Sequence, residues 1–256
     1  MSCRILNIAD EQEWIKSAQW LKNRDEPDPE VEKSVQAIIS RVREEGDDAL
    51  VDFCRQYDCP DFEPPLLVSR HDIALAAASV SVESREQISA AAANIRAFHQ
   101  AQVEQSWIDT KPDGSILGQR VVPVDSVGLY VPGGKGGNTP LISSLLMNAI
   151  PAQVAGVQRI AICTPPRKDG TLNPYILAAA HLLDIDEVYR VGGAWSIAAL
   201  CYGTSSIKKT DVIAGPGNIH VATAKRLLQG IVGIDMVAGP SEVLIIADSS
   251  ANPAWV

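Results

Sequence analysis

Val127-Gly-Leu-Tyr-Val-Pro-Gly-Gly-Lys-Gly-Gly-Asn-Thr-Pro-Leu-Ile-Ser-Ser-Leu-Leu-Met-Asn148 decides how the rest of the chain is read. Val127 to Val131 is a short apolar run of strand type, and a helix is expected to open near Thr139-Pro140. Threonine is a good N-cap, and proline suits the first helical position, where no N–H is needed. Between them Gly133, Gly134, Gly136 and Gly137 let the backbone approach a ligand closely. The unpaired N–H groups of the helix start would face that loop and suit an anionic group. A plain strand-to-helix connection would use the same residues, and glycine and proline alone do not separate the two.

Downstream the pattern repeats. Strand-like runs at Arg159–Cys163, Glu187–Val191 and Asp211–Ala214 alternate with helical runs at Pro174–Leu183, Ala194–Tyr202 and Gly217–Leu228. Such alternation predicts βαβ units and a parallel sheet covered on both faces. Ligands then bind beyond the carboxyl ends of the strands, near a switch in strand order. The loops Gly133 to Thr139, Gly192 to Trp195 and Gly215 to Asn218 are therefore expected to line one crevice. Two further apolar runs, Ile231–Ile234 and Glu242–Ala247, flank Ala238-Gly-Pro-Ser241.

Upstream, helical periodicity dominates. Asp10 caps a first helix carrying Trp14, Ile15, Ala18 and Leu21. A second opens at Asp28-Pro29 with Val35, Ile38, Ile39 and Val42 on one face and ends at Gly46. A third starts at Asp47 or Asp48 and stops before Pro60. Leu66-Leu67-Val68 reads as a short strand, and helices are expected over 70–80 and 82–107. Ile116–Val122 and Ser126–Val131 read as strands broken by Pro123.

Composition narrows the class. With 256 residues, 46% hydrophobic and 21% charged, the chain has the make-up of an enzyme-sized globular protein. A net charge of −9 gives no basic stripe for phosphates, so no nucleic-acid partner is expected. No apolar run reaches the roughly 20 residues of a membrane span, so no membrane partner is expected either. Five cysteines without a C-x-x-C pair suit reduced thiols, and the N-terminus lacks the pattern of a signal peptide. The expected localisation is cytoplasmic. The closing Asn252-Pro-Ala-Trp-Val256 resembles the first turn of a helix, which reads as a truncation.

The chemistry-bearing residues are sparse. Gly215-Pro-Gly217 supplies two glycines of a G-x-G-x-x-G, but His220 stands where the third belongs. Asn218 suits either capping or an amide contact to a ligand, and Asp235 either a ribose contact or a turn. His71, His99, His181 and His220 fall on four separate predicted helices, without metal-ligand spacing. Cys163 sits in an apolar strand with no partner base to activate it. Ser241 lies in Gly-Pro-Ser-Glu rather than a nucleophile elbow. Two classes remain on this basis: an enzyme binding a nucleotide-like ligand at the sheet edge, and a noncatalytic binding module of the same architecture.

Five linked stretches say more: Val127–Gly134, Met147–Gly156, Val191–Ala194, Ala214–Asn218 and Asp235–Val243. Together with Ile95-Arg-Ala-Phe-His-Gln100 they resemble histidinol dehydrogenase, in that family's order and spacing. The resemblance implies NAD-dependent oxidation of L-histidinol to L-histidine, the last step of histidine biosynthesis, in two hydride transfers by a homodimer with one zinc per site. It implies NAD contacts at Tyr130 and Asn218 and a substrate contact at Ser241. The family's third NAD position is usually Gln; here it is Trp195, which can stack but cannot accept a hydrogen bond. The zinc ligands and the acid–base pair of the family fall beyond Val256, so no catalytic or metal residue is assigned within this chain.

The implied fold is α/β: a Rossmann-like parallel-sheet domain over 131–238, preceded by the helix-rich part of a second, discontinuous α/β domain. That second domain would comprise residues 29–130 and the return at 239–256, with 1–28 as a helical arm. On this reading the residues before 131 lack sheet partners and leave Leu66–Val68 exposed. The 256-residue chain alone is expected to give no NADH from histidinol with added zinc. Two other readings are a related zinc- and NAD-dependent dehydrogenase of another small polar alcohol, and an inactive ligand-binding paralogue.

Overall fold

A computed structural model describes residues 8–23, 28–134, 140–237, 243, 245–252 and 254. The chain divides into two compact units, residues 29–237 and residues 1–28 with 238–256. In the smaller unit, helix α1 (Glu11–Asn23) opens on an Asp10 cap. The Glu13 N–H donates to Asp10 Oδ1 at 2.8 Å, and Glu13 Oε2 accepts from the Ala9 N–H at 2.8 Å. Trp14 and Ile15 on this helix are exposed.

The larger unit is built on five parallel strands, β3 (Ser126–Tyr130), β4 (Arg159–Thr164), β5 (Glu187–Arg190), β6 (Val212–Ala214) and β7 (Gly233–Ile234). Their spatial order is β5-β4-β3-β6-β7. The chain thus lays the first three strands outward in one direction, returns to the other side of β3, and goes on from there. The switch in direction falls between β3 and β6.

Alternation along the strands builds two cores. Val127, Leu129 and Val131 of the β3 segment pack with Ile162 and Val188 on one face, beneath α5 (Val82–Gln100), α6 (Ile142–Ala155) and α7 (Pro174–Leu182). Tyr130, Ala161, Cys163, Tyr189 and Ile213 face the other way, toward α2 (Pro29–Glu45), α3 (Asp47–Phe53), α8 (Gly193–Tyr202) and α9 (Ile219–Leu228). Gly128 lets α8 close onto the sheet: a Cβ there would lie 2.8 Å from the Leu200 side chain. The edge opposite the strands' carboxyl ends is locked by Asp211, whose Oδ2 accepts from the Ser126 N–H at 2.8 Å and hydroxyl at 2.7 Å. Arg159 pairs there with Glu187 at 2.7 Å, tying β4 to β5.

Several expectations change. Residues before and after position 130 share both cores. Ser126–Tyr130 is the central strand, and the helices between 29 and 100 supply part of both covering layers. Leu66–Val68 is not an exposed, partnerless strand: Leu66 and Val68 are buried. The Arg190 N–H donates to Leu66 O at 2.8 Å and the Val68 N–H to Val188 O at 2.9 Å, so this segment covers the outer edge of β5.

The helix expected over 82–107 ends at Gln100, because Trp107–Thr110 (β1) pairs antiparallel with Ile116–Gln119 (β2). Ile116–Gln119 accordingly joins this exposed hairpin rather than the main sheet. Helix α6 begins at Ile142, after Pro140; the expected cap at Thr139 lies outside the described residues. Helix α4 (Arg70–Ser79) opens on a Ser69 cap, close to its expected bounds. The expected third helix continues past Phe53 as a π-helical turn, Cys54–Asp58, in which the Cys59 N–H donates to Cys54 O at 2.8 Å.

Candidate functional site

Ligand sites in open parallel sheets form where neighbouring strands send their connections to opposite faces. Here that place is the carboxyl end of β3 beside β6, and a cavity of about 480 Å³ lies there. Pro132, Gly133 and Gly134 after β3, Pro165 after β4, Gly193, Ala194 and Trp195 after β5, and Asn218 and His220 after β6 line it. The three glycine turns therefore do meet on one rim, although residues 135–139 of the first loop lie outside the described residues.

The turn after β6 is held rigidly. Gly215 has φ of +124°, and a Cβ there would come within 2.1 Å of the Tyr130 carbonyl oxygen. Its N–H donates to Asp235 Oδ2 at 2.9 Å, and its carbonyl accepts from Lys225 Nζ at 3.0 Å. Lys225, buried in α9, also pairs with Asp235. Asp235 is thus engaged in fixing the turn. Asn218 caps α9 through Oδ1, accepting from the Val221 N–H at 3.1 Å. Its amide nitrogen has no partner among the described residues and can still serve a ligand.

Tyr130 lines the cavity from the end of the central strand and is almost wholly buried. Burial pushes its hydroxyl up to about 12, partly offset by a backbone hydrogen bond from Gly193. Trp195 also lines it, but only 7% of its surface is exposed. Its ring stacks on Phe53, at 5.5 Å, and on Tyr57, at 5.3 Å, in a three-ring cluster in which Phe53 and Tyr57 also stack at 6.3 Å, so the indole is mostly wall. The ring it presents outward is that of Tyr57, which is half exposed.

Tyr57 and Asp58, both in the π-turn, and Ser34 and Ile38 of α2 are lining residues that the sequence reading did not place at a site. These segments lie among amphipathic helices whose pattern carries no chemical signal. The available cue was an aromatic–acid pair just before Cys59-Pro60, at a helix end. Burial raises the Asp58 carboxyl to about 6, with Lys168 as the opposing influence. Asp58 Oδ2 and Trp195 Nε1 are buried without a hydrogen-bond partner among the described residues.

Other candidates are not brought here. Cys163 is fully buried and its thiol is pushed far up by desolvation, so it is an inert core group. His99 is exposed and bonds Gln102 Oε1 at 2.7 Å. His71 and His181 do not line the cavity, whereas His220 does. Ser241 lies outside the described residues. Among the described residues no group of three or more His, Cys, Asp or Glu side chains could hold a metal ion. No helix among them is long and apolar enough to cross a membrane.

Comparison with known proteins agrees with this architecture. The family model described as histidinol dehydrogenase matches residues 21–256. Histidinol dehydrogenase of Oleidesulfovibrio alaskensis is 58% identical over 257 residues, covering 100% of this chain and 59% of the relative. That of Nitratidesulfovibrio vulgaris is 57% identical with the same coverage. The crystal structure of histidinol dehydrogenase from Elizabethkingia anophelis superposes with a TM-score of 0.81 at 39% identity, covering 93% of this chain and 55% of that one. The chain thus spans somewhat more than half the length of the relatives it matches.

Proposed function

Because this chain belongs to the histidinol dehydrogenase family, we propose that it forms the dinucleotide-holding part of an NAD-dependent enzyme that oxidises L-histidinol to L-histidine. The observation that carries the reading is the meeting of three glycine turns at the β3/β6 switch point, around a cavity of nucleotide size. The bound dinucleotide would accept hydride. This chain's residues bind and orient it: the Asn218 amide donates to it, Tyr130 forms the floor, and Tyr57 on Trp195 offers a flat apolar face. The Gly215 turn, closed tightly against the Tyr130 backbone, sets where Asn218 stands at the cavity.

Zinc, which the family uses, does not fit the described residues, none of which form a ligand set. We also propose the family's finer organisation for the full-length enzyme: a Rossmann-like domain over residues 131–238, a discontinuous domain that includes residues 29–130 and 239–256, a substrate contact at Ser241, and a homodimer.

Calorimetric titration of the chain with NAD⁺ tests the proposal. A saturable one-site signal is expected, and its absence at millimolar NAD⁺ would overturn the reading. In the full-length enzyme, NADH formation from histidinol is the corresponding assay.

A further inference from the structure

Asn218, at the end of the turn after β6, lines the cavity, but the side chains that hold this turn do not. Lys225 reaches it from within α9 and Asp235 from the end of β7. Between them they take both backbone groups of Gly215. Asp235 Oδ2 accepts from its N–H at 2.9 Å, and Lys225 Nζ donates to its carbonyl at 3.0 Å. The ammonium and the carboxylate also pair with each other. Asp235 Oδ1 takes one more donor, the Met236 N–H at 2.7 Å, so a single carboxylate joins the turn to the chain leaving β7. The Lys225 side chain is only 5% exposed. A buried ion pair is seldom the most stabilising way to fill a core, since apolar residues of like size often do as well. What this pair adds is direction: it fixes the orientation of one peptide, three residues before Asn218.

We propose that Lys225 and Asp235 are positioning residues, which set the β6 turn and Asn218 for the ligand and, through Asp235, tie occupancy of the cavity to the chain leaving β7. The inference rests on the reading of the cavity as a dinucleotide site. A binding group must be held by neighbours that are themselves locked, and here both neighbours are locked by each other's charge. With the bracket gone, the Gly215 peptide keeps its tight approach to the Tyr130 carbonyl oxygen but loses both side-chain partners. The Asn218 amide then has no fixed place at the cavity. Coupling between two places is reciprocal, so a ligand that steadies the turn also steadies the Met236 peptide on the other oxygen of Asp235.

Calorimetric titration with NAD⁺, alongside thermal melts, compares the 256-residue chain with Lys225→Met and with the neutral pair Lys225→Met/Asp235→Asn. Lys225→Met strands a carboxylate and should melt lower. It should also bind NAD⁺ roughly tenfold or more weakly, since an ångström of misplacement costs at least that much. The neutral pair strands no charge and should melt within about 4 °C of the unaltered chain. Its NAD⁺ affinity should nonetheless stay as low as that of Lys225→Met, a split that a merely structural ion pair would not give. NAD⁺ affinity equal to that of the unaltered chain in either variant would overturn the inference. Hydrogen exchange of the unaltered chain needs no variant: saturating NAD⁺ should raise amide protection at Gly215 and Met236 together. No rise at Met236 when NAD⁺ binds would equally overturn it. If the unaltered chain gives no saturable signal with NAD⁺, the reading of the cavity falls first and this inference falls with it.

Discussion

A half-buried carboxyl such as that of Asp58 is costly to keep where it is. Its proton is held up to about pH 6, above the ordinary 3.8, because burial penalises the charged form; Lys168 opposes this, and Tyr130 and Cys54 are the other titratable groups it acts on. The folded protein therefore binds the proton more tightly than the unfolded chain does. Its stability should fall as pH rises from about 4 to about 6 and keep that deficit above. Asp58→Asn is expected to remove a penalty on the order of 2 kcal/mol at pH 7.5 and to make no difference near pH 3.5, read as thermal midpoints. A variant that melts lower at pH 7.5 would show that the carboxylate serves packing instead. Gly215 makes the opposite demand. Gly215→Ala meets both a φ of +124° and the Tyr130 carbonyl, so a loss of at least about 2 kcal/mol in denaturant unfolding is expected, together with loss of NAD⁺ binding.

The cap of α9 does two jobs that one pair of variants separates. Asn218→Asp keeps an oxygen acceptor for the Val221 N–H but removes the amide donors. It should melt within about 0.5 kcal/mol of the unaltered chain and bind NAD⁺ poorly. Asn218→Ala should lose about 1 kcal/mol of stability as well. If Asn218→Asp binds NAD⁺ normally, the amide does not reach the ligand. Among the elements, the strand–loop–helix runs after residue 126 were legible, because continuous apolar strands and glycine turns have few alternative uses. The π-turn was not. Its extra residue per turn rests on a tertiary anchor: the Arg55 guanidinium donates to Phe62 O at 2.9 Å, and Arg190 stacks over Phe62 at 4.8 Å. The β1–β2 hairpin was misread in the same way, since strong helix formers up to Gln100 hid the strand pairing that follows.

At the scale of the whole unit, residues 29–237 carry one core on each face of one sheet. Both cores mix residues from before and after the exposed hairpin. Tryptic cleavage in the hairpin at Lys111 should therefore leave two fragments that remain together in native gel filtration. Separation of the fragments, or preferential loss of the part before residue 107, would contradict the shared cores. This outcome reverses what the sequence suggested for the N-terminal half, because a sequence shows which residues are apolar but not which later strand will cover them.

By itself the sequence determined the parallel α/β class, the three glycine turns and the family of the chain. Those depend on local backbone demands and on motif order, which neighbours in the chain already carry. Tertiary structure alone decided that the helices between residues 29 and 100 cover the same sheet, that Asp235 and Lys225 clamp Gly215, and that Tyr57 and Asp58 stand at the cavity. Each of these joins residues distant in the chain, and burial and electrostatics there depend on a packing that no local pattern records.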